Sequence, residues 1–294
     1  MNDHMTAAPV FDRTTQDVGN IVELGHVNIR VPDQRLATLF YVSGLGLTRD
    51  PYLVVGVENM WINVGTCQFH LPTGKPQVLN GTTGLVVPDL AALVHRLKHV
   101  RPQLHGTAFA FTEAGDHVDT VCPWGNRIRC HAPDPRFGRI TLGMPYVEID
   151  APVGSAPAIA RFYREMLGSP AHVEDRAVRV PVGRGEALVF REINRAIPEY
   201  DGHHVQIALA DFSGPHERLR SRGLISEESN ESQYRFTDIV DLDNGAPLVK
   251  IEHEVRSMRH PMFARVLVNR NAGIRNNDYA TGHEAWAWTM PPGT

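Results

Sequence analysis

Apolar and polar positions along this chain change period in a fixed order, and the order recurs. In HVNIRV (26–31) they alternate with period two and β-branched side chains lead, the pattern of a half-buried strand. Within DQRLATLFYVSGLGL (33–47), Leu36, Leu39, Phe40 and Val42 fall at helical spacing. Asp33 is placed to cap that helix, and Gly44 and Gly46 to end it. Three short strand-like pieces follow, YLVVGV, MWINVG and CQFHLP, separated by glycine or proline. The unit is one strand, one helix, then three strands.

The same succession returns three more times, at a spacing of about 50 to 60 residues. GLVVPDLAALVHRLKHV (84–100) is a strand, an aspartate cap and a helix, followed by TAFAFT, HVDTVC and NRIRCHAP. MPYVEIDAPVGSAPAIARFYREMLG (144–168) repeats the strand and helix, its FYREMLG echoing FYVSGLG, before AVRVPVG and ALVFREI. HHVQIALADFSGPHERLRSRG (203–223) opens the fourth unit, which ends in YRFTDIVDLDNGAPLVKIEHE. One such unit cannot close on itself, because its sheet leaves an apolar face and an open edge, so units must pair. The expected fold class is α+β, four βαβββ modules forming two half-barrel-like domains. Residues 1–20 read as a flexible N-terminal arm, 21–135 as modules one and two, and 136–255 as modules three and four. HAPDPRFGRITLG (131–143) links the halves, and 256–294 reads as a tail packing on the core, with Tyr279, Trp286 and Trp288 as its aromatic contacts.

Composition narrows the class of function. Of 294 residues, 42% are hydrophobic and 21% charged, the balance of a globular protein. A net charge of −4 argues against a nucleic-acid or anionic-membrane surface. No run approaches the ~18 apolar residues of a membrane span, and the N-terminus lacks the basic start and apolar block of a secretory signal. Three cysteines (Cys67, Cys122, Cys130) stand far apart without a CxxC, which argues against a disulfide framework and for a cytoplasmic protein. GxSxG, Walker and CxxC patterns are missing, and GLGLT is a helix-ending turn. The histidines, 15 in number, stand out.

Four segments, GHVNIRVPD…FYVSGLGL, PYVEID…FYREMLG, HHVQIALAD and the turns PWGNRIRC and LDNGAPLVKIE, together resemble the vicinal oxygen chelate superfamily. That superfamily includes glyoxalase I, bleomycin- and fosfomycin-resistance proteins and extradiol ring-cleaving dioxygenases. The resemblance covers about residues 21–255, through weak local motifs in a fourfold order. It implies that each unit can give one ligand from its first strand and one from its last. Those positions hold His26 and His70 in unit one, Thr82 and Arg129 or His131 in unit two, Tyr146 and a residue near Leu188 in unit three, and His204 and Glu252 in unit four. Ligand-type residues thus stand at the two ends of the repeat. Of the two pairing schemes the superfamily uses, first-with-fourth is the one that gives His26 a carboxylate.

The resemblance implies a metal site of His26, His204 and Glu252, the two-histidine, one-carboxylate triad of non-haem Fe(II) oxygenases. Glu254 has the same strand parity as Glu252 and is the alternative. His70 is either a fourth ligand, as in glyoxalase I, or an acid–base residue beside a three-ligand iron. Tyr234 and His253 are further catalytic candidates, with His203 a weaker one. Arg256, Arg259 and His260 are candidates for binding an anionic substrate group. The expected function is an Fe(II) ring-cleaving dioxygenase of an aromatic diol. The alternatives are a glyoxalase I-like lyase or isomerase using Mn, Zn or Ni, and a metal-free small-molecule-binding protein of the resistance type. A small-molecule substrate is expected, with neither nucleic acid nor membrane as partner, and outer surfaces free to form a homodimer.

Overall fold

Unit one folds as β1 (Ile21–Asn28), α1 (Gln34–Ala37) continued by a π-helical segment over Thr38–Gly44, β2 (Thr48–Arg49), β3 (Asn59–Val64) and β4 (Cys67–Pro72). Unit two comprises β5 (Gly81–Val86), α2 (Leu90–Val100), β6 (Ala110–Glu113), β7 (His117–Val121) and β8 (Arg127–His131). Unit three comprises β9 (Gly143–Pro152), α3 (Ala156–Leu167), β10 (His172–Glu174), β11 (Ala177–Val182) and β12 (Glu186–Ile193). Unit four comprises β13 (His204–Leu209), α4 (Ser213–Ser221), β14 (Ile225–Asn230), β15 (Gln233–Val240) and β16 (Pro247–Ser257). The computed structural model describes residues 11–53, 58–183 and 185–270.

Local chemistry sets the boundaries. The Asp33 carboxylate accepts the amides of Arg35 and Leu36 at 2.8 and 3.0 Å, and Asp89 accepts that of Ala92 at 2.9 Å. Each cap satisfies donors that the first helical turn leaves open, worth about 1 kcal/mol. Helix α3 stops at Gly168, whose φ of 68° is the left-handed conformation that glycine adopts without steric cost. The strand expected in YLVVGV does not begin at Tyr52. Asp50 Oδ1 takes the amides of Tyr52 and Leu53 at 2.8 and 3.0 Å and turns the chain instead. Residues 54–57 lie outside the described residues, and the second strand of the unit is the short β2 upstream.

Two eight-stranded sheets result, ordered β14-β15-β16-β13-β1-β4-β3-β2 and β10-β11-β12-β9-β5-β8-β7-β6. Unit one therefore shares a sheet with unit four, and unit two with unit three. The seams are antiparallel, β1 on β13 and β5 on β9, and each covers an edge that a lone unit would leave open. The sheets cut across the two halves of the chain. Helix α3 packs on β11 and β12 of one sheet and on β15 of the other. Its Phe162 meets Phe236 with ring centroids 6.0 Å apart, and its Tyr163 meets Phe190 at 5.4 Å. Both helical rings are fully buried, each contributing about 1.5–3 kcal/mol of hydrophobic stabilisation. The apolar faces of the sheets are consumed by the helices, which leaves the opposite faces for chemistry.

Of the N-terminal stretch, residues 11–20 are described. Asn20 donates to the carbonyls of Leu167 and Asp211 at 2.8 and 2.9 Å, tying the approach to β1 onto units three and four. Beyond β16, residues 258–270 join no strand ladder and cross the first sheet. The tail aromatics Tyr279, Trp286 and Trp288 lie outside the described residues.

Candidate metal centre

The four central strands of the first sheet are β16, β13, β1 and β4, and their registers assemble two polar rows on one face. Glu254 pairs with Gln206, Gln206 with His26, and His26 with Gln68. In the next row Glu252 pairs with His204, His204 with Asn28, and Asn28 with His70. A buried polar row in mid-sheet costs desolvation and calls for partners. A register shift between Leu24 and His26 bulges β1 at Gly25. A Cβ there would stand 1.7 Å from the Gln206 side-chain oxygen, so any other residue would have to displace that amide.

Across the rows, His26 Nε2 lies 3.4 Å from His204 Nε2, and Glu254 Oε2 lies 3.4 Å from the same His204 nitrogen. Glu252 Oε1 stands 3.2 Å from the other nitrogen, Nδ1. A proton on Nδ1 donated to Glu252 leaves the Nε2 lone pair facing His26 and Glu254. One ligand atom from each of His26, His204 and Glu254 lies within 4.8 Å of the others. Two bonds of about 2.1 Å meeting at 90–110° would set ligand atoms about 3.0–3.4 Å apart, so the donor set fits a divalent transition metal.

Charges around the cluster are balanced in pairs. Arg235 reaches both carboxylates, Nη1 to Glu252 Oε1 at 2.5 Å and Nη2 to Glu254 Oε2 at 2.6 Å. Arg256 Nη2 holds Glu254 Oε1 at 2.6 Å. Burial acts to raise the Glu254 carboxyl, but a hydrogen bond from His204 when its Nε2 carries a proton, with the Arg256 guanidinium beside it, outweighs it and holds the group well below the usual carboxylate range. Burial pushes His26 far below the ordinary imidazole value, so it is neutral, the form that binds metal. His70 stacks on Trp61, with centroids 3.8 Å apart and planes 10° from parallel, and stands edge-on to His26 at 5.6 Å. Burial, then the neighbouring His204, lowers its pKa to about 3. Its Nε2 is buried without a hydrogen-bond partner, an orphan that a ligand or substrate proton would satisfy.

The structure corrects several sequence expectations. The carboxylate facing both histidines is that of Glu254, while Glu252 backs the His204 ring, because His26 is in register with Gln206 and Glu254. Tyr234 and His253 are on the opposite face, by strand alternation. Tyr234 packs against Phe212 and His216, and His253 lies against Phe236 with its Nε2 2.6 Å from the Tyr163 hydroxyl. Arg259 is exposed, outside the cluster. His260 is half-buried, and its Nδ1 accepts the Met262 amide at 3.2 Å. His203 is buried against Asp201, its Nδ1 2.7 Å from the carboxylate. Arg256 does reach the cluster. The residues that sequence reasoning missed are Arg235, Trp61, Gln68 and Gln206. Period-two parity from His70 and His204 would have placed Gln68 and Gln206 on this face.

The equivalent face of the second sheet has different chemistry. Tyr146 and His131 share a hydrogen bond of 2.9 Å, and Arg129 is paired with Asp119. Among the described residues no second metal-type cluster stands there.

This architecture has counterparts among solved structures. Glyoxalase I from Zea mays superposes with a TM-score of 0.54 at 15% identity, covering 84% of this chain and 95% of that one. A protein provisionally assigned as a dioxygenase, from Bacillus subtilis subsp. subtilis str. 168, gives 0.52 at 15% identity, covering 83% and 87%. The chain has the vicinal oxygen chelate fold. No protein-family profile matches the sequence, and no curated protein does. Within the vicinal oxygen chelate fold, the cluster lies across the seam of the first and fourth modules.

Proposed function

We propose that the chain is a metal-dependent vicinal oxygen chelate enzyme, a non-haem Fe(II) dioxygenase that cleaves the ring of an aromatic diol. One observation carries the reading. His26, His204 and Glu254 converge as three donors on one face, while His70 keeps an unpaired nitrogen outside that set. Three protein ligands leave coordination positions for a chelating substrate and for dioxygen, and the ion would supply the electron transfer between them.

The remaining tasks fall to this chain's own groups. Glu252 fixes the His204 tautomer by accepting the Nδ1 proton. Arg235 holds the two carboxylates at a fixed separation, so neither turns away from its imidazole. His70, neutral and unpaired at Nε2, is positioned to take a proton from a substrate hydroxyl, with Trp61 locking the ring by stacking. Gln206, buried beside His26 with its amide nitrogen unpaired, supplies a donor to orient a polar substrate.

A second reading rests on His70's nearness to His26. Were its free nitrogen a fourth ligand, the site would suit a Lewis-acid lyase or isomerase using Mn, Zn or Ni. The deciding experiment loads purified protein anaerobically with Fe(II), Mn(II), Ni(II) or Zn(II) and supplies catechols, hydroquinones and hemithioacetals. The dioxygenase reading expects oxygen uptake matching diol loss with iron alone. Turnover of a hemithioacetal without oxygen uptake would overturn it.

A further inference from the structure

We infer that residues 258–270 are a gate that closes the cleft over the candidate metal centre and must lift before a substrate enters. The inference rests on the reading that this cleft takes a substrate. A pocket for a small organic molecule has a volume of about 300–1,000 Å³. The cavity at His26 has about 20 Å³, room for a single water. Its floor is the sheet, with Gln68 and Gln206, and its roof is the strap, with Met262, Arg265 and Leu267. The cleft is filled by the protein's own chain.

The way the strap is held suits a part that detaches. It makes no strand ladder, and the anchors described are bonds that each involve a side chain, set along the sheet's rim. Arg265 is ion-paired with Asp50, and the Ala264 amide donates to Glu23 at 3.0 Å. Asn63 donates to the Val268 carbonyl at 2.8 Å. Asn269 exchanges two hydrogen bonds with the Gly65 backbone, at 2.9 and 2.8 Å, and the Arg270 amide reaches Thr48 at 2.7 Å. Segments fixed by a few side-chain bonds open at lower free energy than laddered strands. Ala264 is also held at φ 51°, a left-handed conformation unfavourable for alanine, and lifting the strap releases it. Val266, beside the buried Leu267, is 76% exposed, so the strap turns outward at that residue. Asp50 keeps donors from Tyr52, Leu53 and Gln68 when Arg265 leaves, so the open state does not strand a bare buried carboxylate.

The test uses full-length protein carrying Gln206→Cys, a position 1% exposed beneath the strap, and reads its reaction with iodoacetamide and with a bulkier aromatic disulfide, without metal. Cys67, Cys122 and Cys130 are fully buried and stay silent unless the fold is lost, which gives an internal control. With the strap intact, the introduced thiol should react about 100-fold slower than a free one, and more slowly still with the bulky reagent. Arg265→Ala with Asn269→Ala, and separately Asp50→Asn, should each accelerate labelling about tenfold or more, whereas Arg265→Lys should leave it within about threefold. Free-thiol reactivity with the strap intact, or a folded latch variant that fails to accelerate, overturns the gate. If one latch variant exposes the native cysteines, the other decides. Because no metal is present, failure here is distinct from failure to bind metal, which chelator competition reads separately.

Discussion

Exchanging the two glutamates of β16 one at a time is the sharpest probe of the centre, because both contact His204 and Arg235 but on opposite sides of the imidazole, with Glu254 alone also held by Arg256. Glu254 contributes an oxygen to the donor set, whereas Glu252 touches the ring nitrogen turned away from it. Structural metal sites of four ligands bind with about 10–16 kcal/mol, so one ligand carries about 2.5–4 kcal/mol, roughly a hundred- to thousandfold in affinity. A carboxylate that only orients a ligating imidazole carries about 10- to 100-fold, or about 1.4–2.7 kcal/mol. Arg235 bonds both carboxylates, so either deletion leaves that guanidinium one partner and the electrostatic disturbance is partly matched. Glu254→Ala should therefore weaken Co(II) or Fe(II) binding about tenfold more than Glu252→Ala does. Glutamine separates the two further. Glu252→Gln still accepts the Nδ1 proton and should recover most of the affinity, whereas Glu254→Gln offers a poorer ligand and should not. Anaerobic competition against a chromophoric chelator reads both. Equal losses, or recovery by glutamine at 254 instead of 252, would refute the assignment.

Two further outcomes follow from groups outside the donor set. His253, fully buried against Tyr163 and Phe236, has its pKa lowered by burial to about 4, so between about pH 6.5 and 4 only the unfolded chain takes up its proton. This contribution is complete above pH 6.5 and is lost as pH falls towards 4, on the order of 3 kcal/mol. Urea unfolding of chelator-treated protein at several pH values should show His253→Phe with Tyr163→Phe flattening that slope by about 1.4 kcal/mol per unit, and an unchanged slope would refute the cause. At Gly25, an added Cβ would meet Gln206 Oε1 at 1.7 Å and Cδ at 2.8 Å, so Gly25→Ala should cost about 1–3 kcal/mol of stability. Adding Gln206→Ala should restore most of it, and a double variant no more stable than Gly25→Ala would show that the bulge itself needs glycine.

What the sequence made legible was whatever repeats at short range. Alternation in HHVQIALAD placed one central strand and HVNIRV the end of another, β1, which starts upstream at Ile21 and stops at Asn28, while Asp33 and Asp89 marked helix starts that the structure confirms through their amide bonds. Placing ligand-type residues at the two ends of the repeat pointed to the pairing of units one and four, which the strand order bears out. Parity alone would have separated Glu252 and Glu254 from His253, which the sequence reading kept as a catalytic candidate, since neighbours on a strand face opposite ways. The same rule excludes Tyr234, one step from Arg235, and it was there to be applied.

Parity cannot choose between two carboxylates on the same face. That choice is made by register between strands far apart in sequence, β1 antiparallel to β13 and β13 parallel to β16, with a bulge at Gly25 stepping β1 by one residue. A shift of one residue in that bulge would turn His26 to the other face. The position of a single imidazole thus depends on hydrogen bonds to a strand nearly two hundred residues away, which no local pattern encodes. The strap over the cleft was hidden for a related reason. Residues 258–270 carry neither period two nor period 3.6, so nothing in their own order says where they lie. Their path is fixed by partners such as Asp50, Asn63 and Gly65, which sit in unit one. Short-range order in this chain builds the modules, and long-range register decides which of their polar side chains meet.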